Sequence, residues 1–145
     1  MISDGQILFV IGAQKAGTTW VRDQLFSTKE FSLAPIKELH HYSSCEDPVS
    51  YDWAKTHRME QFQNSGSDQN WIRDVISLSL QLSSDEYFRI LSSSGEGILA
   101  DFSPEYCLLN ETSYNKILQD FPNSKFVYIV RDPVERAMSQ LIMQS

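Results

Sequence analysis

The chain has 145 residues, of which 41% are apolar and 12% aromatic, enough for one hydrophobic core; 21% charged residues exclude a disordered polyampholyte. Nineteen acids against twelve bases give a net charge of −7, which argues against nucleic-acid binding through a broad basic surface. No apolar run reaches the roughly 20 residues of a membrane helix. The opening MISDGQILFVIG lacks a basic region and a small-residue cleavage site, so no signal peptide is expected. Cys45 and Cys107 form neither a disulfide framework nor a metal site, and two reduced thiols in a cytoplasmic protein are expected.

In chain order, the apolar run ILFVI at residues 7–11 predicts a strand covered on both faces. It ends at Gly12, and GAQKAGTT leads into a helix over about residues 18–27. A second extended piece, residues 31–34, stops before Pro35, followed by a loop carrying Lys37, Glu38, His40 and His41. The pattern then weakens. Trp53, Met59 and Phe62 predict one short helix, Ser65-Gly66-Ser67 a loop, and residues 71–82 a further helix. Ser83 and Glu86 have capping-box spacing, with Tyr87, Ile90 and Leu91 at i, i+3 and i+4. Residues 98–102 read as a strand, and Tyr114, Ile117, Leu118 and Phe121 form an apolar stripe stopped by Pro122. FVYIV at residues 126–130 predicts another buried strand. Asp132 then caps a helix with Pro133 in its first turn and Glu135 completing a second capping box. Ala137, Met138, Leu141 and Ile142 give that C-terminal helix an apolar stripe, from which self-association is expected. Strand–helix alternation predicts a single α/β domain over residues 1–145, with a P-loop-like parallel sheet flanked by helices. Ligands of such sheets bind at the carboxyl ends of the strands.

The segment Gly12-Ala13-Gln14-Lys15-Ala16-Gly17-Thr18-Thr19 follows a strand and opens a helix. Its glycines allow successive N–H groups to turn inward, and the helix start adds partial positive charge, which suits a phosphate or sulfate. A tight strand–helix turn would need only the glycines; the lysine and two hydroxyls favour an anion cradle. The spacing approaches the nucleotide triphosphatase loop, but Thr18 stands in place of its lysine, and Lys15 lies three residues earlier. The run FVIGAQKAGTTWV resembles the 5′-phosphosulfate loop of sulfotransferases that use 3′-phosphoadenosine 5′-phosphosulfate (PAPS). That resemblance implies PAPS as donor, adenosine 3′,5′-bisphosphate as product, and Lys15, Ala16, Gly17, Thr18, Thr19 and Trp20 as donor-binding residues.

After the FVYIV run, Arg131 and Arg136 can converge with Ser139, which lies about two turns below Asp132 on one helix face. A guanidinium and a hydroxyl so placed suit phosphate capture, although an arginine paired with Asp132 or Glu135 would look the same. The segment resembles the sulfotransferases' 3′-phosphate motif, which implies that Arg131 and Ser139 bind that group. Lys37-Glu38-Leu39-His40 resembles the K-E-x-H segment of heparan-sulfate-type sulfotransferases. The resemblance implies Glu38 as the general base that takes the proton of a hydroxyl or amine acceptor, with His40 as the alternative base and Lys15 stabilising the leaving group. Neighbouring His40 and His41 diverge and no third ligand is spaced to help, so no metal is expected. The family domain also continues past the second motif, which implies that this chain is C-terminally incomplete. Two rival readings stay open: a P-loop kinase or nucleotidase with Asp101 holding magnesium, and a non-catalytic nucleotide-binding remnant.

Overall fold

The structure is a computed structural model that describes residues 6–145; part of the N-terminal stretch read above for a leader lies outside them. Four of the six residues of Ile7–Gly12 are buried and the other two half-buried, so this strand, β1, lies inside a sheet with two covered faces. Among the described residues the sheet has four strands, all parallel, in the order β2 (Phe31–Leu33), β3 (Ile98–Phe102), β1, β4 (Lys125–Tyr128). Val10, Leu33, Ala100 and Phe102 pack on one face, covered by Val21 and Leu25 of helix α1 (Thr18–Ser27). On the other, Ile7, Phe9 and Leu99 meet a larger cluster supplied by five helices and one 3-10 turn.

Those elements are α2 (His41–Glu46), α3 (Ala54–Ser65), α4 (Asn70–Leu78), α5 (Ser84–Leu91), the 3-10 turn Pro104–Leu108, and α6 (Glu111–Asp120). The capping box of Ser83 and Glu86 is formed, with both reciprocal hydrogen bonds present. Helix α2 and the 3-10 turn were not visible in the sequence pattern. Helix α4 ends four residues before the expected limit. Ser79 turns to extended backbone there, which lets Leu82 enter the core and Leu80 offer its carbonyl to Arg58.

Arg58 is a fully buried side chain, and burial lowers its pKa. Its guanidinium donates to the Leu39 carbonyl (2.7 Å), the Leu80 carbonyl (2.6 Å) and Ser44 Oγ (3.3 Å). One side chain thus ties α3 to the segment carrying Glu38 and His40 and to the turn after α4.

Two expectations are corrected at the C-terminal end. Residues 126–130 do not form a buried strand: β4 ends at Tyr128 and its residues are exposed, because it is the sheet edge and Phe126 alone stacks inward, on Phe9. A doubly apolar run shows that a strand can be covered, not that a neighbour covers it. Helix α7 (Pro133–Gln144) buries no side chain, so the stripe of Met138, Leu141 and Ile142 is exposed. Asp132 caps it, accepting from the Val134 and Glu135 amides, but Glu135 does not complete a capping box; its carboxylate turns to Arg131 at 3.7 Å.

His41 stacks on Tyr87, and burial first, then the nearby Arg58 charge, lowers its pKa to about 3. The unfolded chain binds this proton near its ordinary value of 6.5 and the folded chain does not. Stability from the neutral ring is therefore complete above that value and falls as pH drops from it toward the folded pKa. His41→Phe keeps the stacked ring and removes the titration. Between about pH 7 and about pH 5 the wild type is expected to lose about 2 kcal/mol more than the variant in urea unfolding. Equal losses would refute a buried neutral His41. The comparison cancels Asp101, whose pKa is raised by burial and whose contribution has the opposite sign.

Candidate active site

The loop between β1 and α1 is shaped by glycine. Gly12 has φ +150°, and a Cβ there would meet Tyr128 Cε2 at 2.9 Å and the Pro104 carbonyl at 3.1 Å, so only hydrogen fits where three segments cross. Gly17 caps α1 at φ +90°, and no side chain caps that helix, which leaves its first amides without a side-chain acceptor. Four non-glycine residues among those described have positive φ; three are Lys15 (61°), Glu38 (58°) and His40 (52°). Such backbone is costly for residues with a Cβ and gathers where side chains must be aimed.

Pairing of β4 with β1 carries the second motif to this loop. The Ile129 amide donates to the Gly12 carbonyl (2.8 Å) and the Ala13 amide to the Ile129 carbonyl (3.1 Å). Two residues on, Arg131 Nη1 donates to the Lys15 carbonyl at 2.6 Å across 116 positions of sequence. Here the Arg131–Glu135 pairing also exists, but at 3.7 Å and exposed, where an ion pair contributes little. A cleft of about 550 Å³ opens over this junction, lined by Lys15, Gly17, Thr18 and Thr19 from one side and Arg131 and Ser139 from the other.

Glu38 and Lys37 line the same cleft. Lys37 Nζ donates to Thr19 Oγ1 (2.5 Å) and stands 3.8 Å from Glu38 Oε1, so the loop after β2 is pinned to the start of α1. The sequence places Lys37 next to Glu38 in this loop but does not show its contact with Thr19. Behind Glu38 lies His40, buried, with Nε2 at 3.7 Å from Glu38 Oε2 and Nδ1 against Glu105 Oε1. Although their separation is short, neither nitrogen has the alignment of a hydrogen bond. Rings of Trp53 and His57 pack on His40, with centroids 4.8 and 5.1 Å away. Glu38, His40 and His57 bring ligand-type atoms within 4.8 Å of one another, a grouping that spacing alone did not show.

Of the residues expected at the site, Lys15, Gly17, Thr18, Thr19, Glu38, Arg131 and Ser139 share one cleft. Ala16, Trp20 and His40 do not line it. The Ala16 amide is taken by the Ala13 carbonyl, Trp20 points outward and is 67% exposed, and His40 is sealed behind Glu38. Arg136 is likewise absent from the lining. Asp101, the candidate magnesium ligand of the kinase reading, is buried between Tyr87 and Ser103 Oγ (2.6 Å) and does not face the cleft. Glu105 was missed altogether, since nothing local marks it. Cys45 and Cys107 are free thiols, and burial raises the pKa of both. No helix of the described residues is long and apolar enough to cross a membrane.

Comparison with known families matches residues 7–145 to the model described as the sulfotransferase family. No curated protein and no solved structure matches the chain.

Proposed function

This chain belongs to the sulfotransferase family, and from that premise we propose that it transfers a sulfuryl group from PAPS to a hydroxyl or amine of a small acceptor, in the cytoplasm and without a metal ion. The observation that carries this reading is the shared cleft: two anion-binding segments at two strand ends, joined by the Arg131 hydrogen bond to the Lys15 carbonyl. Its volume of about 550 Å³ lies within the range of sites for nucleotide-sized ligands.

Bound PAPS would supply a sulfuryl group on a phosphate leaving group. Residues 15–19 would hold the phosphosulfate through Lys15, the amides at the start of α1 and the hydroxyls of Thr18 and Thr19. Arg131 and Ser139 would hold the 3′-phosphate, remote from the reacting bond, and so orient the donor. Lys15 would stabilise charge on the departing phosphate. Glu38, 28% exposed at the cleft wall, would take the acceptor proton. A sulfuryl group carries less charge than a phosphoryl group, so these cations and dipoles can serve in place of a divalent ion. The exposed stripe of α7 supports self-association as a further property of the chain.

Calorimetry tests the donor assignment. Adenosine 3′,5′-bisphosphate is expected to bind without magnesium and more tightly than ATP with magnesium. Arg131→Ala should weaken the bisphosphate by about 10- to 100-fold, the cost of one or two charge-assisted hydrogen bonds. Preference for magnesium ATP would overturn the reading.

A further inference from the structure

Behind the cleft, a buried acid and a buried imidazole have no role in the reaction as described. Glu105 is 7% exposed, and its Oε2 has no hydrogen-bond partner. A carboxylate withdrawn from water needs a proton or a cation beside it. What meets it is His40, 1% exposed, through Nδ1. With a carboxylate beside Nδ1, that nitrogen keeps its proton, which leaves Nε2 as the proton-accepting nitrogen, 3.7 Å from Glu38 Oε2. An unprotonated nitrogen this close to a carboxylate gains when a proton is shared between them. Glu38 alone of the three reaches the cleft.

We propose that Glu105 is a positioning residue for proton removal: it fixes His40 with Nε2 toward Glu38, so that His40 receives the proton Glu38 takes from the acceptor. This rests on the reading of Glu38 as base. The acceptor O–H bond breaks as its oxygen–sulfur bond forms, and the electron pair of the broken sulfur–oxygen bond leaves with the bisphosphate. The proton passes to Glu38 and then to His40 Nε2, where the imidazolium is balanced by the Glu105 carboxylate. It returns to solvent through Glu38 once the products have left. Glu38 thereby regains its charge before the products leave, as in an acid–imidazole pair that orients and steadies a general base. Other titratable groups facing His40 are His57 and Tyr51, by ring packing, and Asp101, within electrostatic reach; Lys37 acts on the Glu38 side. Of these, Glu105 is the one set against Nδ1.

Glu105→Gln preserves shape and removes the charge. With PAPS and a panel of phenols, alcohols and amines, kcat is expected to fall about 100-fold. The acid limb of its pH profile should move to lower pH, while adenosine 3′,5′-bisphosphate affinity stays unchanged. An unaltered kcat and an unaltered acid limb would overturn the proposal. A second measurement needs neither turnover nor a folded Glu105 variant. Ring nitrogen-15 shifts of wild-type His40, assigned with His41→Phe and His57→Gln, should show the proton on Nδ1. A proton on Nε2, the form free imidazole prefers, would overturn it. If the wild type neither binds the bisphosphate nor transfers sulfate, the functional reading fails instead, and the nitrogen shifts still decide how Glu105 holds His40.

Discussion

Lys15→Ala is expected to lower the rate of sulfuryl transfer by about 1000-fold, the effect of removing a preorganised charge aimed at a developing anion. The cleft itself should survive, because the Arg131 hydrogen bond is made to the Lys15 main-chain carbonyl, which alanine also has. Lysine and alanine carry the same Cβ strain at φ 61°, so stability should change little, and urea unfolding in parallel checks this. Bisphosphate affinity should fall far less than the rate, since on the proposed reading Arg131 and Ser139 would still hold the distal phosphate. That separation of rate from binding marks a charge that matters most in the transition state. A variant with wild-type turnover would remove Lys15 from the mechanism and leave the loop as a mere turn.

Arg58→Ala is expected to cost about 3–5 kcal/mol, the largest stability effect of any single substitution considered. Three acceptors lose their donor together, two of them main-chain carbonyls, that of Leu39 buried and that of Leu80 partly buried. Removing a buried cation that no carboxylate among the described residues pairs with returns some desolvation energy. Unpaired carbonyls and the cavity outweigh that gain. Arg58→Met fills the space but not the hydrogen bonds, and should recover about 1–2 kcal/mol of the loss. Urea unfolding of both variants measures the split. If alanine costs less than about 1 kcal/mol, the guanidinium is not what holds these segments. Because Leu39 precedes His40, the same change should also loosen the aim of the imidazole.

Much of the fold was legible. The unbroken apolar run at residues 7–11, the Ser83–Glu86 capping box and the stripe ending at Pro122 are local patterns, and a short window of sequence suffices to read them. In the weak stretch, residues 43–82, α4 has apolar residues in register, but α2 and α3 have few and are held by tertiary contacts such as those of Arg58. At β4 the apolar run misled, because composition records what a strand tolerates and not what lies next to it.

By itself, the sequence determined the two segments proposed to bind anions, the glycine turn with its lysine and threonines, and the arginine eight residues before its serine. Each is a short strand–loop–helix unit whose chemistry lies within a dozen residues. Only the tertiary structure decided that these units share one cleft, that Lys37 meets Thr19, and that Glu105 stands behind His40. Those neighbours are separated by 18 to 116 positions, and parallel strand pairing and core packing bring them together. Strand order and packing depend on the whole chain, so no window of residues carries them.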